Sequence, residues 1–219
     1  KYDLQTAVDD WCYDALSATS MYGHISTWDV SQITDFSGLF RSKDQFNDDI
    51  SGWDVSNGTD FYEMFQNAEN FNGSINGWDV SSGTNFASMF DNAKSFNQDI
   101  GSWDVSYGTN FDSMFRDAEN FNGNIGAWNV GNGTNFTSMF FNATAFNQEI
   151  GNWDVSSATS MDYMFRGASL FNGGIGNWIV SSVTDFRYMF YTASSFNQDI
   201  SSWDVSSGTT FDNMFNAAI

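Results

Sequence analysis

The stretch that decides the fold is "FNQDIGSWDVSYGTNFDSMF", Phe96 to Phe115. Most of it returns as "FNQEIGNWDVSSATSMDYMF" at 146–165 and as "FNQDISSWDVSSGTTFDNMF" at 196–215. Working outward, the period is 25 residues and never slips. Trp stands at 28, 53, 78, 103, 128, 153, 178 and 203, and Ile at 50, 75, 100, 125, 150, 175 and 200. Self-similarity at a fixed period of 20–50 residues marks a solenoid, propeller or array, and propeller blades or helical-pair repeats need longer units than this.

Within one unit the apolar residues are Trp103, Val105, Phe111, Met114, Phe115, Ala118, Phe121 and Ile125. "WDV" alternates, which predicts a short strand at each Trp-Asp-Val. "F-x-x-M-F-x-x-A-x-x-F" has spacings of three and four, which predicts a 3₁₀ or short α turn. The expected fold class is a β-solenoid or leucine-rich-repeat-like right-handed solenoid of about eight coils over 26–219, with 1–25 as an N-terminal cap and joint. In the cap, Leu4, Val8, Trp11, Cys12 and Ala15 fall on one face of a helix over 3–16, with Asp3 as its N-cap. No such signal closes the far end, so that edge is expected to be covered by residues 211–219 or by another chain.

The recurring "MFxxAxxFNxDIxxWDVSxxT" resembles the repeat of the BspA-like surface-protein family, relatives of leucine-rich repeats, over about 22–219. The resemblance implies a secreted or cell-surface scaffold for recognition or adhesion rather than catalysis. Two columns depart from that pattern. Gly58, Gly83, Gly108, Gly133 and Gly208 stand before Thr where Val is expected, and the residue two after Thr is mostly Phe where Met is expected.

Stacking at about 4.8 Å turns each column into a ladder of like residues. Thr34, Thr59, Thr84, Thr109, Thr134, Thr159, Thr184 and Thr209 form a complete rank. Its plain reading is a hydroxyl bonded at a bend. Its sharper reading is an ice-binding face, which would want a second rank; the Ser column from Ser31 to Ser206 is a partial one. Asp29, Asp54, Asp79, Asp104, Asp154 and Asp204 form a carboxylate ladder, broken by Asn129 and Ile179. Asx turns would satisfy it, and Ca²⁺ bridging between coils is the alternative. Asn47, Asn72, Asn97, Asn122, Asn147, Asn172 and Asn197 read as an internal amide ladder pairing backbone groups. Acids at 49, 99, 149 and 199 fall on every other coil, which suits either relief of like-charge stacking or a doubled unit.

Asp and Glu number 27 against 7 Lys and Arg, a formal net charge of −20. That charge argues against nucleic acid and anionic lipid partners. It permits glycans, basic proteins or an ice surface, and a third reading is end-to-end self-assembly into a filament through the C-terminal edge. No apolar run reaches the length of a membrane span. The chain starts at Lys1 and reads as a mature or trimmed form. One Cys, Cys12, and one His, His24, leave no Cys–His or Ser-His-Asp set to argue, and no cofactor motif is present. Specific binding is expected where the repeat breaks: at Lys43, Met161, Ile179 and the extra aromatics Tyr62, Tyr107, Phe141, Tyr163, Tyr188 and Tyr191. Surface drift is the plain reading for most of these.

Overall fold

A computed structural model describes residues 3–218. Two short helices open the chain: α1 (Leu4–Tyr13) and α2 (Ala15–Tyr22), followed by a 3₁₀ turn at Ile25–Thr27. The single helix expected over 3–16 is broken at Asp14, whose carboxylate accepts from the Leu16 and Ser17 amides and so starts α2. Asp3 holds the N-cap position of α1, but its side chain makes no cap bond. Val8 and Trp11 are buried, whereas Cys12, still within α1, and Ala15, which opens α2 beyond the break at Asp14, are exposed although expected on the same face. The helices lie over the first repeat unit. The Trp11 indole donates to Asp48 (2.8 Å), Gln5 donates to the Leu39 carbonyl (3.1 Å), and Lys43 pairs with Asp9 (2.7 Å).

From there on, each 25-residue unit packs on the one before it, with like residues over like. The strands expected at Trp-Asp-Val are not formed. The in–out alternation is present, since Trp103 and Val105 are buried and Asp104 is exposed. But the amides at its edges close local turns, Trp103 onto the Ile100 carbonyl and Gly108 onto that of Val105, so no ladder runs there. Parallel pairing falls instead just after Thr, as seven isolated bridges from Asp35↔Asp60 to Asp185↔Thr210. Among the described residues there is no longer strand.

The F-x-x-M-F segment is likewise not a helix. The amides of Phe111, Ser113, Phe115 and Asp117 donate to the Asn135, Thr137, Met139 and Phe141 carbonyls of the next unit, at 2.7–2.9 Å. Those of Met114, Arg116 and Ala118 close four-residue turns within their own unit, onto the carbonyls of Phe111, Ser113 and Phe115. Alternate peptides turn toward the next unit along the stack because Ser113 (φ 56°) and Asp117 (φ 52°) are left-handed, as are their counterparts in the other units. The second of these columns reads Ser42, Asn67, Asn92, Asp117, Asn142, Gly167, Thr192 and Ala217, largely the residue types that tolerate that conformation.

Apolar side chains fill the interior as continuous rows. Phe40 through Phe215 stack ring on ring at 5.3–5.7 Å. Each indole from Trp53 to Trp203 donates to the carbonyl of the Ile 28 residues earlier, at 2.9–3.2 Å. These buried N–H groups thereby escape the cost of an unmade bond. The rows end at an edge where Val205, Phe211 and Phe215 are exposed. Ile219, the last residue expected to cover that edge, lies outside the described residues.

The two departures from the BspA-like pattern fall together in five of the eight units, while Ile33 with Phe36 and Val183 with Phe186 combine a large residue before Thr with the ring. A Cβ on Gly108 would stand 2.5 Å from Phe111 Cζ, so the small residue makes room for the large ring. In one unit the ring is replaced by Met161, and there the residue before Thr is Ala158 rather than Gly. We expect Gly108→Ala to destabilise by about 1–3 kcal/mol through overpacking. Adding Phe111→Met should recover at least half of that loss, as read from denaturant midpoints of the two single variants and the double. Strict additivity of the two changes would contradict the pairing.

Candidate functional site

The structure uses most of the ladders to hold its own backbone. Each Thr from Thr59 to Thr209 donates both its amide and its hydroxyl to the carbonyl of the preceding Thr; the hydroxyl distances are 3.1–3.5 Å. All eight Thr residues are exposed, but the Ser column expected as a second rank is half-buried in seven of eight units, with Gly131 standing in one. Beside the Thr rank runs the irregular exposed column Gln32, Asn57, Ser82, Tyr107, Asn132, Ser157, Ser182 and Ser207.

The Asp column closes Asx turns. Asp29, Asp54, Asp79, Asp104, Asp154 and Asp204 each accept from the amide two residues on, and Asn129 does the same. Among the described residues, no three of His, Cys, Asp and Glu gather where a metal ion would sit. The Asn column is an amide ladder in which each carbonyl from Asn47 to Asn172 accepts the backbone amide of the next Asn at 2.8–2.9 Å. It lies at the surface rather than inside. Gln98, Gln148 and Gln198 reach back to the same Asn residues one unit earlier. In the units between, Gly takes the Gln position; a Cβ on Gly123 would stand 2.4 Å from the Gln98 carbonyl. Close approach of the preceding unit's main chain thus gives the glycines of the two-unit alternation a cause beyond charge.

One face does not follow the pattern. At the position after Met-Phe, the column runs Arg116, Phe141, Arg166, Tyr191. The Arg116 guanidinium lies 5.1 Å from the Phe141 ring centre. Arg166 lies 5.0 Å from Phe141, 5.7 Å from Tyr163, 5.5 Å from Tyr188 and 5.0 Å from Tyr191. Tyr163 and Tyr188 stack on each other, with centres 5.0 Å apart and planes 6° from parallel. Both are left-handed (φ 60° and 55°), a conformation that is unusual for a bulky residue and costs about 1–2 kcal/mol. Ser88, Ser113 and Ser138 fill the same place in earlier units. Arg116 is held beside Asp117 and Arg187 beside Asp185, while no carboxylate of the described residues pairs with Arg166.

Four of the repeat-breaking aromatics are therefore gathered in one patch with three arginines. Reading them singly in the sequence missed Arg116, Arg166 and Arg187, although two of these lie 25 residues on either side of Phe141. The other breaks lie apart. Tyr62 bonds Glu63, Tyr107 projects beside the Thr rank at 65% exposure, Ile179 is exposed in the Asp column, and Lys43 pairs under α1.

Two groups of carboxylates titrate in opposite directions. Hydrogen bonds from the Ser106 and Ser156 side chains, then from their amides, hold Asp104 and Asp154 below the ordinary 3.8. Their contribution to stability is present above 3.8 and is lost as pH falls through the lower folded values. Burial pushes Asp91 above 3.8, against a bond from Gln66 (2.8 Å) and the charge of Arg116. Its contribution is present below 3.8 and is lost as pH rises through the raised value. Asp91→Asn should therefore raise the thermal midpoint at neutral pH, and the gain should vanish below pH 3.8. Unfolding curves at the two pH values check this.

Three overlapping stretches, residues 11–125, 77–172 and 109–219, match one family model, described as "Mycoplasma protein of unknown function, DUF285". Neither the curated proteins nor the solved structures contain a match. With more than half of the chain inside a single match and the overlaps reflecting its repeats, the chain belongs to the DUF285 family.

Proposed function

We propose that this chain is a solenoid of 25-residue coils that serves as a non-catalytic recognition scaffold, acting outside the cell or at its surface. One observation carries the reading. The regular ladders are engaged in holding the coils together, and the principal break in the pattern gathers arginine and aromatic side chains on one face. Such side chains dominate binding energy in known recognition surfaces. The resemblance to BspA-like surface proteins points the same way.

The non-catalytic reading is supported by the chemistry of Cys12 and His24. Partial burial of its sulfur, ahead of the nearby Lys43, Asp48 and Asp9 charges, pushes the Cys12 thiol up to about 11, far from a reactive thiolate. His24 bonds its near neighbour Ser26 and sits edge-on to Trp11 at 4.9 Å.

An ice-binding role for the Thr rank is the second reading, supported by the exposure of all eight residues. Against it, the hydroxyls are already bonded to main-chain carbonyls, and the neighbouring column is irregular and carries Tyr107.

The two readings separate in one experiment. Whole protein, Tyr163→Ser with Tyr188→Ser, and Thr109→Tyr with Thr134→Tyr are compared for binding to glycan and protein arrays and for ice shaping. We expect array binding that falls about tenfold or more in the tyrosine variant only. Faceted ice crystals, lost only in the threonine variant, would replace this reading with the other.

A further inference from the structure

We infer that the Arg166 face binds a neutral oligosaccharide lying across the units that carry Phe141, Tyr163 and Tyr188; this rests on the recognition reading above.

The argument starts from charge. On a chain of net charge −20, a polyanion meets repulsion everywhere except at a local cationic site. This face is not such a site. Arg116 is balanced by Asp117 and Arg187 by Asp185, and Asp162 lies close enough to Arg187 to act on its charge. What remains is a surface of mixed donors and acceptors with little net charge. The unpaired Arg166 guanidinium offers several N–H donors in one plane. Asp162 has one oxygen taken by the Thr137 and Ser160 hydroxyls, which leaves the other to accept. The tyrosine hydroxyls do both.

A partner that satisfies guanidinium, carboxylate and phenol together must carry groups that donate and accept at once, and must bring apolar surface for the rings. The hydroxyls and C–H faces of a sugar do so. A protein partner would bury the carboxylates at the edge of the patch, which costs several kcal/mol per ion unless each is met by a matching charge.

Shape agrees with this assignment. The column Arg116, Phe141, Arg166, Tyr191 runs along the stack with Tyr163 and Tyr188 as a second row beside it, and two rows advancing unit by unit have the form of a track for a linear chain. The choice of side chain supports a ligand role too. The left-handed backbone belongs to every unit, and serine serves there in three others, so tyrosine is not needed to build the stack.

The test is isothermal titration of the whole protein with soluble oligomers of β-linked glucose, β-linked N-acetylglucosamine and mannose, and with polygalacturonate as the anionic probe. The expected result is binding of at least one neutral oligomer, little changed between low and high salt. Tyr163→Ser with Tyr188→Ser, matching the residue of earlier units, should weaken it about tenfold or more, and Arg166→Gln likewise. Tyr107→Ser, away from the patch, should leave it unchanged. Circular dichroism and the unfolding midpoint of each variant separate lost binding from lost structure. Binding of polygalacturonate alone overturns the assignment, as does neutral binding that survives both variants. If no sugar titrates while the arrays find a protein ligand sensitive to the same tyrosines, the recognition reading stands and this one falls. If neither binds, both fall.

Discussion

The rest of the structure depends on one constraint: alternate peptide groups of the Phe-x-x-Met-Phe segment find their acceptors in the next unit rather than in their own. Phe111 donates to Asn135, Ser113 to Thr137, Phe115 to Met139 and Asp117 to Phe141. A change in unit length by even one residue would misalign all four bonds and every side-chain row that follows them. The rows then reinforce the register. Ring stacks lock the interior, indoles bond Ile carbonyls, and Asn side chains bond the next backbone amide. No buried side-chain polar atom among the described residues is left without a partner. The fixed period of the sequence is the record of that constraint.

This has a consequence for where function resides. A residue type that repeats in every unit is largely accounted for by the bond it makes to the neighbouring unit. The Thr hydroxyls, the Asp carboxylates and the Asn amides all fall in this class. Chemistry directed at a partner must come from residues that break the period, and the largest concentration of those is around Arg166. The solenoid we propose would serve as a rigid carrier whose variable columns can change without disturbing its core.

Much of this was legible in the sequence, because a column of Trp, Phe or Ile at constant spacing has no reading other than an interior row. The helical start was legible in outline, but the break at Asp14 was not. Asp14 reads as one more polar residue until its carboxylate is seen to cap α2. Strands were expected at Trp-Asp-Val because alternation of burial does not tell whether the backbone has a partner; here Asp104 takes the Ser106 amide and the chain stays unpaired. The turn over 111–118 was misread as helical because its apolar spacing is three and four. The signal against it was the Ser, Asn and Asp column at left-handed positions, visible at Asn67, Asn92, Asp117 and Asn142. The Arg166 patch was half legible. Its aromatics stood out as exceptions, but only the packing of one unit on the next reveals that they share a cation.

The most direct test is an NMR measurement of scalar couplings across hydrogen bonds. The account predicts a coupling from the Phe111 amide nitrogen to the Asn135 carbonyl carbon, and from Phe115 to Met139, with the same offset in the other units. Couplings from these amides to carbonyls three or four residues earlier in their own unit would show a helical segment instead, and would contradict the register on which the whole structure rests.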